Sequence, residues 1–320
     1  MLKQGAFVIL IGVLYAVFAG MTFINSKLML TNPYPFFVGM MRSFGSAIFL
    51  FVYGMIVHQQ VLKSFVLPKN RWRDLLIFGA LVHGLVMSGL SFCVQYIDPV
   101  KVCFILALCP FITAILQYFL GNEVLTPKKL IGLIVGFCGL VPILLATDHG
   151  KYAAVPQHLE ILGTVVCVIA TILFAYGWII MKRFLKDYSH YPLEIINGIA
   201  MLVGGFVSFI LFAATTWFDM KALTFTAEFP SLVSAFVVSS LATYMIYAYL
   251  LKTYSATFIA FAGFLEPVFG MLYGVAYMGH KVTPTSIGAL FILFIGLYIF
   301  YKEELRTNPE QNVIIDPDNK

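Results

Sequence analysis

The chain is short of charge. Asp, Glu, Lys and Arg make up 11% of its 320 residues, less than half the roughly 25% of an average soluble domain. Hydrophobic residues make up 61%, and the mean hydropathy is +0.93. So few charged groups do not cover a globule of this size, which excludes a soluble enzyme, a disordered chain and a secreted disulfide scaffold. The net charge of +5 does not point to nucleic acid either. The basic residues stand singly or in short clusters between apolar runs, with no basic face or stripe.

Paired cysteines, clustered histidines and phosphate loops are missing as well. Cys93, Cys103, Cys109, Cys138 and Cys167 all fall inside apolar runs without metal-ligand spacing, and read as reduced, small apolar side chains. The six histidines stand at 58, 83, 149, 158, 190 and 280, with no His-Glu-x-x-His or comparable group. No glycine-rich phosphate loop is present, which argues against ATP-driven pumping. The expectation is a protein without metal or cofactor, with a membrane-embedded enzyme as a remote alternative.

What the chain has in abundance is long apolar runs. A helix needs about 20 apolar residues to cross a bilayer. Stretches free of Asp, Glu, Lys and Arg run Gln4–Ser26, Ser43–Leu62, Leu75–Ile97, Val102–Asn122, Leu130–Thr147, Ile161–Met181, Ile195–Phe218, Phe229–Leu251 and Val282–Tyr301. A tenth, Thr253–His280, is interrupted only by Glu266. The runs are continuously apolar rather than alternating, so they predict helices and not barrel strands. The fold class is therefore all-α integral membrane, with ten transmembrane helices. With a cytoplasmic N-terminus, fourteen Lys and Arg fall inside, and Lys27, Lys101, Lys151, Lys221 and Lys281 fall outside. Positive charge stays inside, so both termini are expected in the cytoplasm. The first run lacks a small-residue cleavage site and reads as a helix rather than a signal peptide. Residues 303–320, with Pro309 and Pro317, read as a disordered cytoplasmic tail.

The chain also repeats itself. A shift of 157 residues, the separation of Pro35 from Pro192, aligns Phe49 with Phe206, Phe104 with Phe261, Pro110 with Pro267, Thr126-Pro127 with Thr283-Pro284, Phe137 with Phe294 and Gly139 with Gly296. Each Thr-Pro pair places an N-cap oxygen before a proline at the first helical position. Pro110 and Pro267 each remove a backbone hydrogen bond inside a helix and predict a break there. The halves are 1–150 and 151–302. Five spans per half is an odd number, so the second copy is inverted, an architecture used by alternating-access transporters.

The segment from Pro110-Phe111-Ile112 to Leu120-Gly121-Asn122-Glu123-Val124-Leu125-Thr126 resembles a signature of the EamA-type branch of the drug/metabolite transporter superfamily. Asn122 is an insertion, since members run Gly-Glu directly. The second signature is Glu266-Pro267 onward to Met278-Gly279-His280, with His280 where the family usually has Glu. Arg42 after Pro35 is similar to an arginine common in the family's second helix. The resemblance covers about residues 5 to 301. It implies ten helices, cytoplasmic termini, a central cavity between the repeats, and gradient-coupled export, uptake or exchange of small metabolites.

Residues that break the internal symmetry are the better solute candidates. Glu266, whose counterpart is Cys109, is an ionisable group near the midplane and marks a solute or proton path, or else shapes the helix beside Pro267. Arg42, opposite Ile199, has the fork to hold a carboxylate, or serves as an interhelical charge. Lys101 either snorkels or contacts a carboxylate at the outer gate. His83 and Asn197 either bridge helices or face the cavity. Among the aromatics, Tyr15, Tyr96, Tyr118, Trp178, Tyr244, Tyr247 and Tyr273 have polar tips of use in a cavity; Tyr96, Trp178 and Tyr247 are taken as solute contacts, and Pro110 and Pro267 as hinges.

These features predict a secondary transporter in a bacterial inner membrane, its partners being a small-molecule solute and the lipid bilayer, with a homodimer compatible. Arg, Glu and aromatics from different helices suit a zwitterion with a flat or apolar body. Some transporters of the resembled family, in bacteria living inside host cells, exchange S-adenosylmethionine for S-adenosylhomocysteine, and that is the expected activity here. The alternative is a proton-coupled exporter of amino acids, drugs or metabolites.

Overall fold

The computed structural model describes residues 2–31, 34–57, 69–120, 126–144, 152, 154–188, 191–216, 227–253, 259–260, 263 and 265–307. Among them the only regular structure is helical. The helices are α1 (Leu2–Thr31), α2 (Pro35–Val57), α3 (Lys69–Phe78), α4 (Met87–Tyr96), α5 (Pro99–Leu106), α6 (Cys109–Phe119), α7 (Pro127–Leu144), α8 (Gln157–Tyr188), α9 (Leu193–Thr216), α10 (Phe229–Thr253), α11 (Leu265–Met278) and α12 (Pro284–Thr307), with a π-helical stretch at Gly79–Val86 joining α3 to α4. Seven stretches are long and apolar enough to cross a membrane, by length and composition: Leu10–Met29, Pro35–Val57, Arg71–Tyr96, Pro99–Phe119, Gln157–Tyr188, Leu193–Thr215 and Phe229–Lys252. Pro284–Phe300 is a shorter apolar helix. The protein is a multi-pass membrane protein, and its surface fits that solvent. Phe49, Ile56, Phe119, Phe206, Ile210 and Phe291 are exposed, while Arg42, His83, Asn197 and Glu266 are buried. A soluble fold has the opposite arrangement.

The expected runs fall on these helices with shifted ends. Of Thr253–His280, only Leu265–Met278 forms a described helix longer than one turn. α12 continues to Thr307, past the boundary expected at 302. Its last turn is held by Arg306 Nη2 donating to Glu303 Oε1 at 2.6 Å. The rest of the expected tail, and Glu123 of the first signature, lie outside the described residues.

The two most extensive packings are α7 on α12 and α2 on α9. α1 packs on α10 and α11, and α8 packs on α3–α4 and on α5 and α6. Exchanging the halves by 157 residues leaves the first two pairs unchanged and turns the packing of α1 into that of α8. Individual contacts follow the same rule. A Cβ added at Gly139 would lie 2.8 Å from Leu293 N and 2.9 Å from Ala289 O, and one at Gly296 would lie 2.3 Å from Gly136 N and 2.7 Å from Gly132 O. These two sets interchange under the shift. Tyr244 Oη donates to Met87 Sδ at 3.1 Å, a pair 157 residues apart.

The π-helical stretch lies where α9 crosses most closely. Gly79 lies against the backbone of Ala200, and Gly84 and Gly204 face each other where α9 crosses, too closely for a Cβ at 79 or 204. A π-turn frees backbone carbonyls from the ordinary ladder. Here the His83 carbonyl accepts from Arg42 Nη2 at 3.1 Å and from Ser43 Oγ at 3.2 Å.

Candidate functional site

Both matched prolines stand in the first turn of a helix that restarts after a break. α5 ends at Leu106, Ala107 and Leu108 form a turn, and α6 begins at Cys109 with Pro110 second. α11 begins at Leu265, two residues before Pro267, after a turn in which Gly263 N donates to Ala260 O at 2.9 Å. Proline is tolerated there because the first turn's N–H groups have no helical partner anyway.

The two breaks meet at Glu266. Its carboxylate lines a void of about 10 Å³ together with Tyr15 and Phe18 of α1, Leu106 and Cys109 at the first break, Phe174 of α8, Tyr247 of α10, and Ala260 and Gly263. Such a void takes about one water molecule, so the centre is closed in this conformation. Glu266 is 3% exposed, and its Oε1 has no hydrogen-bond partner. Tyr15 Oη is occupied in donating to Ile259 O at 2.6 Å.

From Phe174 and Tyr247 a file of rings leads to Arg42. The Trp178 ring stacks on Tyr247 at 3.9 Å and on Tyr244 at 6.1 Å, and Tyr244 meets His83 edge-on at 4.5 Å. The guanidinium carbon of Arg42 lies 5.8 Å from the Tyr244 and Phe236 ring centres. Arg42 also donates to Ser240 Oγ at 3.3 Å and Ser43 Oγ at 2.9 Å, besides the His83 carbonyl. Ser240 is the counterpart of His83 under the 157-residue shift. Arg42 Nε, both His83 ring nitrogens and Trp178 Nε1 are buried without a partner, so the file keeps polar capacity that the protein does not use.

A second, open space lies at the end of the bundle that carries Lys27 and Lys281. This vestibule of about 1070 Å³ is walled by Phe23, Tyr152, Tyr273 and Tyr277, among others, with Asp98, His280, Lys27 and Lys281 supplying charge. The stripe Glu266, Gly270 and Tyr273 runs along one face of α11. Tyr273 reaches the vestibule, Gly270 packs on Cys103, and Glu266 reaches the void. Asp98 caps α5 through Oδ1, which accepts from Val100 N at 2.8 Å, while Oδ2 lies 3.2 Å from His280 Nε2. His280 is delivered by Gly279, whose φ of +68° is the left-handed turn that glycine makes without strain.

Glu266, Trp178, Tyr247, His83 and Arg42 are thus joined in one buried file. Lys101, Tyr96 and Asn197 stand apart from the void. Lys101 is buried and pairs with Glu160 at 2.7 Å. Tyr96 packs on Phe92 at 5.0 Å, at the end of α4. Asn197 donates to Leu193 O at 3.1 Å and contacts Met245 Sδ at 3.7 Å. Phe18 and Phe174 escaped the sequence reading because 31 phenylalanines hide any two; their spacing from Tyr15 (i, i+3) and Trp178 (i, i+4) was the available signal. All five cysteines are free. Among the described residues no group of His, Cys, Asp and Glu is arranged to hold a metal ion.

A bundle of apolar helices, two of them broken around a buried carboxylate, defines a class of multi-pass membrane protein, and comparison with known proteins places the chain within it. Residues 6–145 and again 161–302 match the EamA-like transporter family. The chain belongs to that family. It is 27% identical over 296 residues to the S-adenosylmethionine/S-adenosylhomocysteine transporter of Chlamydia muridarum (strain MoPn / Nigg), covering 89% of this chain and 88% of the relative. The protein of the same description in Chlamydia trachomatis serovar L2 (strain ATCC VR-902B / DSM 19102 / 434/Bu) is 27% identical over 290 residues, covering 89% and 86%. An uncharacterised transporter of Bacillus subtilis (strain 168) is 21% identical over 291 residues, covering 89% and 95%. A solved protein structure shares the fold with a TM-score of 0.64 at 16% identity, over 93% of this chain and 97% of that one.

Proposed function

We propose that this membrane transporter exchanges S-adenosylmethionine for S-adenosylhomocysteine by alternating access, through ten helices arranged as inverted repeats 1–150 and 151–302. The observation that carries the reading is Glu266, a buried carboxylate with an unpartnered oxygen at the meeting point of both breaks and facing aromatic rings. An ionisable group so placed is costly and marks a solute path. The repeat reading is supported by the double family match and by contacts that interchange under the 157-residue shift, such as Tyr244 on Met87.

The solute reading is supported by the description of the chlamydial relatives and by the chemistry of the file. The rings offer faces for an adenine, Glu266 a partner for the sulfonium, and Arg42 Nε an unused N–H for the carboxylate. Trp178, Tyr247 and His83 line the same route. Lys101, Asn197 and Tyr96 act at its margins, and Pro110 and Pro267 are the hinges. In a bacterial inner membrane with cytoplasmic termini, the vestibule opens outward.

The test is uptake of labelled S-adenosylmethionine into proteoliposomes with and without S-adenosylhomocysteine inside. Saturable uptake accelerated by the preload, and lost in Glu266→Gln with the protein still folded, is the expected result. Uptake unchanged in the variant removes Glu266 from the mechanism. No uptake by wild type transfers the reading to proton-coupled export of amino acids, drugs or metabolites.

A further inference from the structure

Among the described residues, the Glu266 carboxylate has no cationic side chain to face. The titratable groups around it are Tyr15 of α1, Cys103 of α5, Cys109 of α6, Cys167 of α8, and Tyr244 and Tyr247 of α10. No Lys, Arg or His is among the described residues lining the void. Arg42 is committed to Ser43, Ser240 and the His83 carbonyl, with Tyr244 and Phe236 at its faces. A void of about 10 Å³ has no space for a hydrated counter-ion. An ionised carboxylate is not stable in such a place alone, so the compensating charge has to arrive from outside.

The walls say what kind of cation is welcome. A primary ammonium brings three N–H donors that all need acceptors, and besides Glu266 the described side chains lining the void offer only the Tyr15 and Tyr247 hydroxyls and the weakly accepting Cys109 thiol. A sulfonium or quaternary ammonium brings none, and the Phe18 and Phe174 rings that line the void are of the kind that stabilises such a cation through cation–π attraction. We infer that Glu266 is a one-charge balance: its carboxylate is neutralised by one proton in the empty, closed centre, or by one onium group where the centre has widened around the solute, never by both.

Joined to the proposed exchange, on which this step rests, the rule fixes the coupling. S-adenosylmethionine carries one net positive charge because of its sulfonium, and S-adenosylhomocysteine, a neutral thioether with the same zwitterionic end, carries none. The inward crossing takes the onium on an ionised Glu266. The outward crossing takes the thioether with a proton on Glu266. One positive charge moves each way, so the exchange is electroneutral and exports one proton for each onium imported.

Trimethylsulfonium chloride tests the balance without assuming the solute. Titration calorimetry on the purified protein, in buffers of different ionisation enthalpy, is expected to show saturable binding that releases up to one proton. Its apparent affinity should fall about tenfold per pH unit once Glu266 is protonated in the free protein. Glu266→Gln should lose the binding and Glu266→Asp should keep both binding and proton release; if the Gln variant does not fold, the Asp variant and the wild-type pH dependence decide. Absent or pH-independent trimethylsulfonium binding overturns the inference whatever the solute proves to be. Proton-linked binding without S-adenosylmethionine exchange upholds it and removes the solute assignment. Where exchange occurs, a pH dye in the lumen should report alkalinisation with no current, and a current without a pH change overturns the inference.

Discussion

The crossing of α7 and α12 can be tested at a single atom. A Cβ at Gly296 would sit 2.3 Å from Gly136 N, 2.6 Å from Gly136 Cα and 2.7 Å from Gly132 O. All three neighbours are backbone, so no rotamer change relieves them. Carbon atoms in contact rest about 3.5–4.0 Å apart, so Gly296→Ala has to push the helices apart by roughly 1 Å. Overpacking of this kind costs about 1–3 kcal/mol. Against it stands helix propensity, which favours Ala over Gly by about 0.8–1.0 kcal/mol. The steric effect is the larger, for a net loss of up to about 2 kcal/mol. Gly288 lies on the same helix with nothing within 4 Å of its added Cβ, so there propensity acts unopposed. Gly288→Ala should gain up to about 1 kcal/mol. Thermal unfolding of both variants in detergent, followed by size-exclusion retention, should therefore give shifts of opposite sign. Equal or greater stability of Gly296→Ala over Gly288→Ala would refute the close crossing.

Two further perturbations address the ends of the buried file and of the bundle. Arg42→Lys should cost roughly 1–3 kcal/mol in the same unfolding assay, because an ammonium does not reach Ser240, Ser43 and the His83 carbonyl in one planar fork; wild-type stability would show that the fork is idle. Glu303 lies beyond the apolar part of α12, and its carboxyl is held below its ordinary 4.5 by the hydrogen bond from Arg306, with Thr126 at the start of α7 adding to it. A depressed carboxyl contributes stability above its ordinary value and loses it as pH falls through the lower, folded one. Protection of the amides at the end of α12 against hydrogen exchange should fall as pH drops below 4.5, and Arg306→Ala should shrink that fall; a fall of unchanged size would show the pair to be inert.

What was legible in the sequence was what each residue settles by itself or with its copy. Long apolar runs become buried or lipid-facing helices because no other backbone arrangement satisfies itself in hydrocarbon. Thr126-Pro127 and Thr283-Pro284 open helices wherever they occur. Features that need two unlike partners were not legible. Gly79 matters only because Ala200 crosses it, and the acceptor for Arg42 is a backbone carbonyl within the π-helical stretch, which no residue pattern displays. The file of rings is hidden for the same reason, since Phe174 gains meaning only beside Tyr247 and Glu266.

His280 shows such a partner explaining a departure that the sequence could only record. It stands where the family usually has Glu, and the structure sets its Nε2 3.2 Å from Asp98 Oδ2, whose side chain is 7% exposed. A carboxylate at 280 would meet another carboxylate already fixed by capping Val100 N, and like charges this close, one of them buried, repel strongly. His280→Glu should therefore lower stability by roughly 1–3 kcal/mol, the loss of a charge-assisted contact plus the repulsion. Asp98→Asn added to it should restore most of the loss, because Asn caps a helix as well as Asp does and its amide can donate to the new carboxylate. Thermal unfolding of the two single variants and the double gives the coupling energy. If the double variant loses the sum of the two single losses, His280 and Asp98 are neighbours without being partners, and the choice of histidine at this position has another cause.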